Sequence, residues 1–209
     1  MRWSVVLAAA VWATAASAAP DRFEQAVLKE INRARAHPRE VAGELRRYRA
    51  NFHGLVAHEN GDPVGTTTFE GAGAVDEAIA FLEAQAPLPP LDDGVILTRA
   101  ARDWAETQGS AGAVGHGSGP GARVRAAGGD IYVGETISYG MPTPAAVARQ
   151  FIIDDGQPRR GHRALLFSAG YRFAGVGCAA HARFGSLCVV DYAGTPDGAP
   201  ILTQVAAVR

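Results

Sequence analysis

The two cysteines of this 209-residue chain, Cys178 and Cys188, sit ten positions apart inside two stretches that alternate with period two. Ala174, Val176 and Cys178 fall on one side of the first stretch, and Cys188, Val190 and Tyr192 on one side of the second. Folding the segment about Arg183 sets Cys178 opposite Cys188, Val176 opposite Val190, and Ala174 opposite Tyr192. Directly opposed residues of an antiparallel pair have Cα atoms within disulfide range, so the pattern predicts a hairpin closed by a disulfide. Gly185 can supply the positive φ that a tight connection needs. The alternative is a pair of buried free thiols.

The N-terminus decides which redox compartment applies. Met1-Arg2-Trp3 leads into an apolar run from Val5 to about Ala16, followed by Ala16-Ser17-Ala18 and then Ala19-Pro20. A basic start, a short apolar centre and a small-x-small ending describe a secretory signal peptide over residues 1–18, cut after Ala18. The run is too short to span a bilayer, which takes roughly 20 apolar residues, and no other stretch qualifies as an anchor. The expectation is a secreted or periplasmic protein, and export favours disulfide pairing. Removing Arg2 takes the formal charge from -1 to -2. The remaining basic residues are spread out and nearly all Arg, which gives no footprint for nucleic acid.

With 47% hydrophobic and 20% charged residues, residues 19–209 suit a single globular domain, with its core over about 22–194. Asp21-Arg22-Phe23-Glu24 reads as a capping box, and Phe23, Val27, Ile31 and Ala34 recur at helical spacing, predicting a helix over 22–36. Pro38 bars its simple continuation, and a second short helix fits 41–48. The polar, Gly- and Thr-rich segment 51–73 reads as a long loop, with His53 and His58 solvated inside it. Helices are expected over 74–85 and 95–108, then a strand over 131–139. A further helix starts at Pro144 with Thr143 as its cap, and one more turn covers 162–167. Two strands, 171–179 and 187–193, complete the chain. Helices precede the strands that must pair with each other, so the class is α+β or a helix-sheet-helix sandwich.

Chemistry-bearing residues concentrate between Val114 and Arg163. His116 lies between two glycines, Glu135 in Gly134-Glu135-Thr136-Ile137, and Asp154-Asp155 and Gly161-His162-Arg163 follow. Two imidazoles with a carboxylate form a ligand set that Zn²⁺ accepts while keeping an open position, and carboxylates paired with imidazoles also suit general acid/base work. The bland reading has each histidine capping a turn or lying at the surface. The glycines of 109–121 lack the Lys-Ser/Thr ending of a phosphate loop, and Ser118 does not sit in a nucleophile elbow.

Taken in order, these segments resemble the CAP superfamily of cysteine-rich secretory, antigen 5 and pathogenesis-related proteins, in its bacterial SCP-like form. The residues that carry the resemblance are Ile31-Asn32-Arg33-Ala34-Arg35, Leu97 with Ala100-Ala101, His116, Gly134-Glu135-Thr136-Ile137, Gly161-His162-Arg163 and Gly175-Val176-Gly177. The resemblance implies a three-layer α-β-α sandwich with a central antiparallel sheet. It also implies a cleft where two histidines and two acids converge, binding Zn²⁺ or another divalent ion in some members. His116, Glu135 and His162 match three of the four positions. Asp154 takes the fourth, where the family has a glutamate, with Asp155 as a rival; Thr136 replaces the usual Asn, and the excursion to His162 is longer than the compact form. The family's activities are diverse, and the leading expectation for this chain is a monomeric binder of a small-molecule, lipid or envelope ligand, through a divalent metal at His116 and His162, without turnover. The competing readings are a metal-dependent, peptidase-like hydrolase of extracellular or envelope material, and a lipid or sterol carrier.

Overall fold

The computed structural model describes residues 21–59 and 62–201. The expected signal peptide lies outside the described residues. The chain opens with α1 (Arg22–Ala36), and the capping box forms as expected: the Asp21 side chain accepts from the Phe23 backbone, and Glu24 reaches back to the Asp21 N–H. Pro38 begins α2 (Pro38–Arg49) instead of merely ending α1; proline at the first helical position loses nothing, because that N–H has no partner in a helix anyway.

Segment 51–73 is more ordered than a loop. Three two-residue strands, β1 (Phe52–His53), β2 (Val56–Ala57) and β3 (Thr66–Thr67), form a small antiparallel meander. Next come α3 (Ala72–Ala84), the two-residue β4 (Asp92–Asp93) and α4 (Val95–Ala111). A short helix, α5 (Pro120–Ala126), stands where periodicity predicts none, although Gly119-Pro120 is a start signal of the kind seen at Pro38 and Pro144. Then follow β5 (Val133–Tyr139), α6 (Pro144–Ile153), α7 (Gly161–Leu166), β6 (Phe173–His181) and β7 (Gly185–Ala193). Thr143 caps α6 through the Ala146 N–H.

The main sheet has the order β4-β6-β7-β5. The pairs β6–β7 and β7–β5 are antiparallel, as expected, while β4 adds a two-residue parallel edge to β6. The C-terminal hairpin has the expected register, Cys178 opposite Cys188, Val176 opposite Val190 and Ala174 opposite Tyr192, and the two cysteines are joined by a disulfide. Gly185 closes the turn at φ 81°.

One face of the sheet, with Ala174, Val176, Cys188, Val190 and Tyr192, packs against α1, α6 and the end of α7, and α3 joins the same core through α6, with α2 packed against α3. The other face, with Ile137, Leu187 and Val189, packs against Ala101 and Ala105 of α4. These layers make the α-β-α sandwich. Helix α4 lies almost in backbone contact with β6: a Cβ added to Gly175 would come within 2.0 Å of the Thr98 nitrogen, and one added to Gly177 within 2.2 Å of the Arg102 nitrogen. Those glycines let the helix settle onto the strand.

The Asn32 and Arg35 side chains lock α1 to distant segments. Asn32 donates to the Leu91 carbonyl and accepts from the Leu91 N–H. Arg35, 1% exposed, donates to the carbonyls of Pro89, Leu166, Ser168 and Tyr171, which fastens the segment after α7. A buried guanidinium with its donors satisfied by carbonyls holds irregular backbone that has no ladder of its own.

Candidate functional site

Residues of β5 alternate between the two layers. Gly134, Thr136 and Ser138 face the α6–α7 layer: a Cβ at Gly134 would strike Leu165 and the Tyr171 hydroxyl, Thr136 bonds the Tyr192 hydroxyl, and Ser138 bonds Gln150. Glu135, Ile137 and Tyr139 therefore face the α4–α5 layer. There the Glu135 carboxylate, with its side chain 1% exposed, receives His116 Nδ1 at 2.6 Å on one oxygen and Arg123 of α5 on the other. Arg123 also donates to the His116 carbonyl at 2.7 Å and stacks on the Trp104 ring. It thereby holds both members of the pair.

The loop carrying His116 is fixed from beneath. Gln108 donates to the Gly115 carbonyl, the Gly115 N–H donates to the Tyr139 hydroxyl, and that hydroxyl donates to Gln108 Oε1. His181 at the end of β6 donates from Nε2 to the Ala113 carbonyl, while its Nδ1 accepts the N–H groups of Arg183 and Phe184. Gly117 rests on Trp104, where any Cβ would come within 2.6 Å of the indole.

A second pair forms on the other layer. Helix α6 ends at Asp154, whose φ of 55° is left-handed, a conformation Asp tolerates better than most residues. The turn points the carboxylate at the start of α7, where it accepts the His162 N–H at 2.8 Å and His162 Nδ1 at 2.7 Å. Asp154 is buried, and His162 lies against Phe151. Asp155 turns the other way, and its carboxylate caps the N–H groups of Phe69 and Glu70, tying the 52–71 meander to this turn. Arg160, also left-handed, pairs with Glu70 and Glu77 and donates to the Asp154 carbonyl. The long excursion before His162 is thus a braced loop. Arg163, buried, donates to the carbonyls of Ile152 and Ile153 and to Glu77.

The structure therefore joins His116 to Glu135 and Asp154 to His162, and among the described residues no hydrogen bond or ion pair links one couple to the other. Each imidazole has Nδ1 engaged by a buried carboxylate, and among the described residues Nε2 has no hydrogen-bond partner. This is the arrangement by which a carboxylate orients a histidine toward a metal or ligand. The donor chemistry fits a divalent ion, but no group of three or more His, Cys, Asp or Glu side chains among the described residues is gathered to hold one. His53 and His58 pack ring to ring in the meander.

Electrostatics distinguish the first couple. The hydrogen bond to Glu135 raises the His116 pKa above its ordinary 6.5, outweighing partial burial and the nearby Arg123 charge. Asp191 of β7, directly across from Glu135, is raised well above the usual aspartate range, first by burial and then by the Glu135 charge. Sequence reasoning does not single out Asp191, Arg123, Tyr139, Gln108 or His181. A signal for Asp191 exists: it is one acid in the otherwise uncharged run Leu187-Cys188-Val189-Val190-Asp191-Tyr192-Ala193.

Comparison with known proteins bears on the whole arrangement. No curated protein matches the chain. A family model, the Cysteine-rich secretory protein family (CAP), matches residues 28–192, a span from α1 to β7 that contains both histidine–carboxylate couples and the disulfide hairpin. On that match over most of its length, the chain belongs to the CAP family.

Proposed function

We propose that this CAP-domain protein is exported and binds a ligand at the His116–Glu135 and His162–Asp154 couples, without catalytic turnover. The observation that carries the reading is the shared geometry of the two couples, each with Nδ1 fixed by a buried carboxylate and Nε2 left for an incoming group. The His116 side chain is half exposed and that of His162 a quarter, so both are within reach of a solute. Among the described residues no Ser, Thr or Cys side chain bonds either imidazole, so the couples lack the activated nucleophile that covalent hydrolysis needs. A divalent ion such as Zn²⁺ is a ligand this donor chemistry would suit, with His116 and His162 as the neutral imidazoles that would hold it and Glu135 and Asp154 behind them. The disulfide fits an oxidising destination, and no helix among the described residues is long and apolar enough to cross a membrane.

Metal analysis and calorimetry with Zn²⁺ on the purified protein, beside His116→Ala and His162→Ala, test the reading. Loss of stoichiometric binding in both variants, with unchanged folding, is the expected result. Equal binding by all three proteins would overturn metal binding through these imidazoles, and turnover of a peptide or envelope substrate that disappears in His162→Ala would replace the reading with a hydrolase.

A cavity of about 380 Å³ between α1 and the start of α4 favours one other reading, a carrier of a small apolar ligand. Leu28 and Val176 line it, but Glu24, Lys29 and Asp93 do as well. That charged lining makes it the weaker choice. A His116→Ala/His162→Ala double variant that still retained lipid would favour the carrier.

A further inference from the structure

Asp191 lies in the middle of β7, wholly buried, and neither of its carboxylate oxygens has a hydrogen-bond partner among the described residues. Its cross-strand neighbours are Glu135 on β5 and Gly175 on β6. All three lie on the face covered by α4, which rests on the Gly175 backbone and seals the acid from water. Helix α4 faces this part of the sheet with Leu97, Ala101 and Trp104, none of them charged. The charged groups nearby are Glu135 itself, Arg123 from α5 and His116 from the loop. Glu135 already receives donors from Arg123 and His116. Two adjacent buried carboxylates served by one arginine are costly if both are ionised, since desolvation and like-charge repulsion act together. The acid without donors is the one that keeps a proton.

We propose that Asp191 is a positioning residue of the His116 couple: a neutral carboxylic acid whose O–H donates to Glu135, giving that carboxylate a third donor and holding it against the imidazole. Its functional meaning rests on the binding reading above; its chemistry stands apart from it. The rival arrangement is an ionised Asp191 bridged by water to the buried Nε of Arg123, which also lacks an acceptor.

Infrared spectroscopy of the full mature protein at neutral pH separates the two. The acid form predicts a carboxylic-acid C=O stretch in the wild type that vanishes in Asp191→Asn, whose amide can still donate to Glu135. Wild type without that band would overturn the proposal, whatever the protein binds. The melting temperatures give a second reading with a definite sign. A raised acid keeps its proton in the fold while the unfolded chain releases one above about pH 3.9, so the Asp191 contribution to stability falls as pH rises from there, and the difference between wild type and Asp191→Asn isolates it. Asp191→Asn should melt higher than wild type at neutral pH and converge with it near pH 4; a variant that melts lower at neutral pH counts against the idea. Positioning is read from the His116 Nδ1 proton resonance, expected to persist in Asp191→Asn and to shift or broaden in Asp191→Ala. An unmoved resonance in a folded Asp191→Ala would remove the positioning role. If no ligand or metal binds at all, the binding reading fails while the infrared band still decides this one.

Discussion

At Asp154 a left-handed turn swings the carboxylate over the first turn of α7, and the next residue, Asp155, points instead to the meander. Two adjacent acids thereby acquire unrelated roles, one orienting His162 and one clamping Phe69 and Glu70. Removing the Asp154 carboxylate leaves the partly buried His162 N–H and its imidazole without their acceptor, so Asp154→Ala should cost about 2 kcal/mol in denaturant unfolding. Asp154→Asn should cost less, because the amide oxygen can still cap the His162 N–H and Asn accepts φ near 55°. At the other couple the direction of titration is the test. His116 should titrate above 6.5 by NMR, and Glu135→Gln should bring it down. For a histidine with a raised folded pKa, the contribution to stability is present below 6.5 and fades as pH rises through the folded value. A His116 pKa unmoved by Glu135→Gln would show that the pair is not hydrogen-bonded in solution.

Helix α4 and strand β6 approach almost to backbone contact, and the cause is the absence of two side chains, at Gly175 and Gly177. Gly175→Ala must displace the backbone of α4, because the added carbon would sit 2.0 Å from the Thr98 nitrogen and cannot be accommodated by a rotamer change. We expect a loss of about 3 kcal/mol or more, the upper range for overpacking. Gly43→Ala in α2 is the control: nothing lies within 4 Å of its added Cβ, and the helix interior gains about 0.5–1 kcal/mol from the better helix former. Chemical denaturation of the two variants should therefore move in opposite directions. The periodicity of α1, α4 and the β6–β7 hairpin is local, and so these elements were legible from residues alone. The meander and α5 were not, because strands of two residues and a helix of seven carry too little periodic signal, and tertiary contacts such as Asp155 to Phe69 and Arg123 to Glu135 stabilise them.

Across the whole molecule, the disulfide hairpin and the candidate site are mechanically joined. The hairpin turn is organised by His181, and the same imidazole holds the loop that carries His116. Closing a loop of about ten residues restricts the unfolded chain by roughly 2.5 kcal/mol, so the Cys178→Ala/Cys188→Ala variant should lose about that much. It should also exchange amide hydrogens faster at 113–117, more than at the distant α2. Equal protection of that loop in both proteins would uncouple the hairpin from the site.

The sequence by itself determined the hairpin register, the disulfide partners, the capping of α1 and α6, and the identity of His116, Glu135 and His162 as residues worth following. Each of these is written in spacing a few residues long or in a family pattern. Only the tertiary structure decided that Asp154 and not Asp155 meets His162, that Arg123 braces the first couple, and that Asp191 faces Glu135. The physical reason is reach: Glu135 and Asp191 stand on different strands of one sheet, and which face each presents depends on the pairing of β5 with β7 and on the helix laid over them.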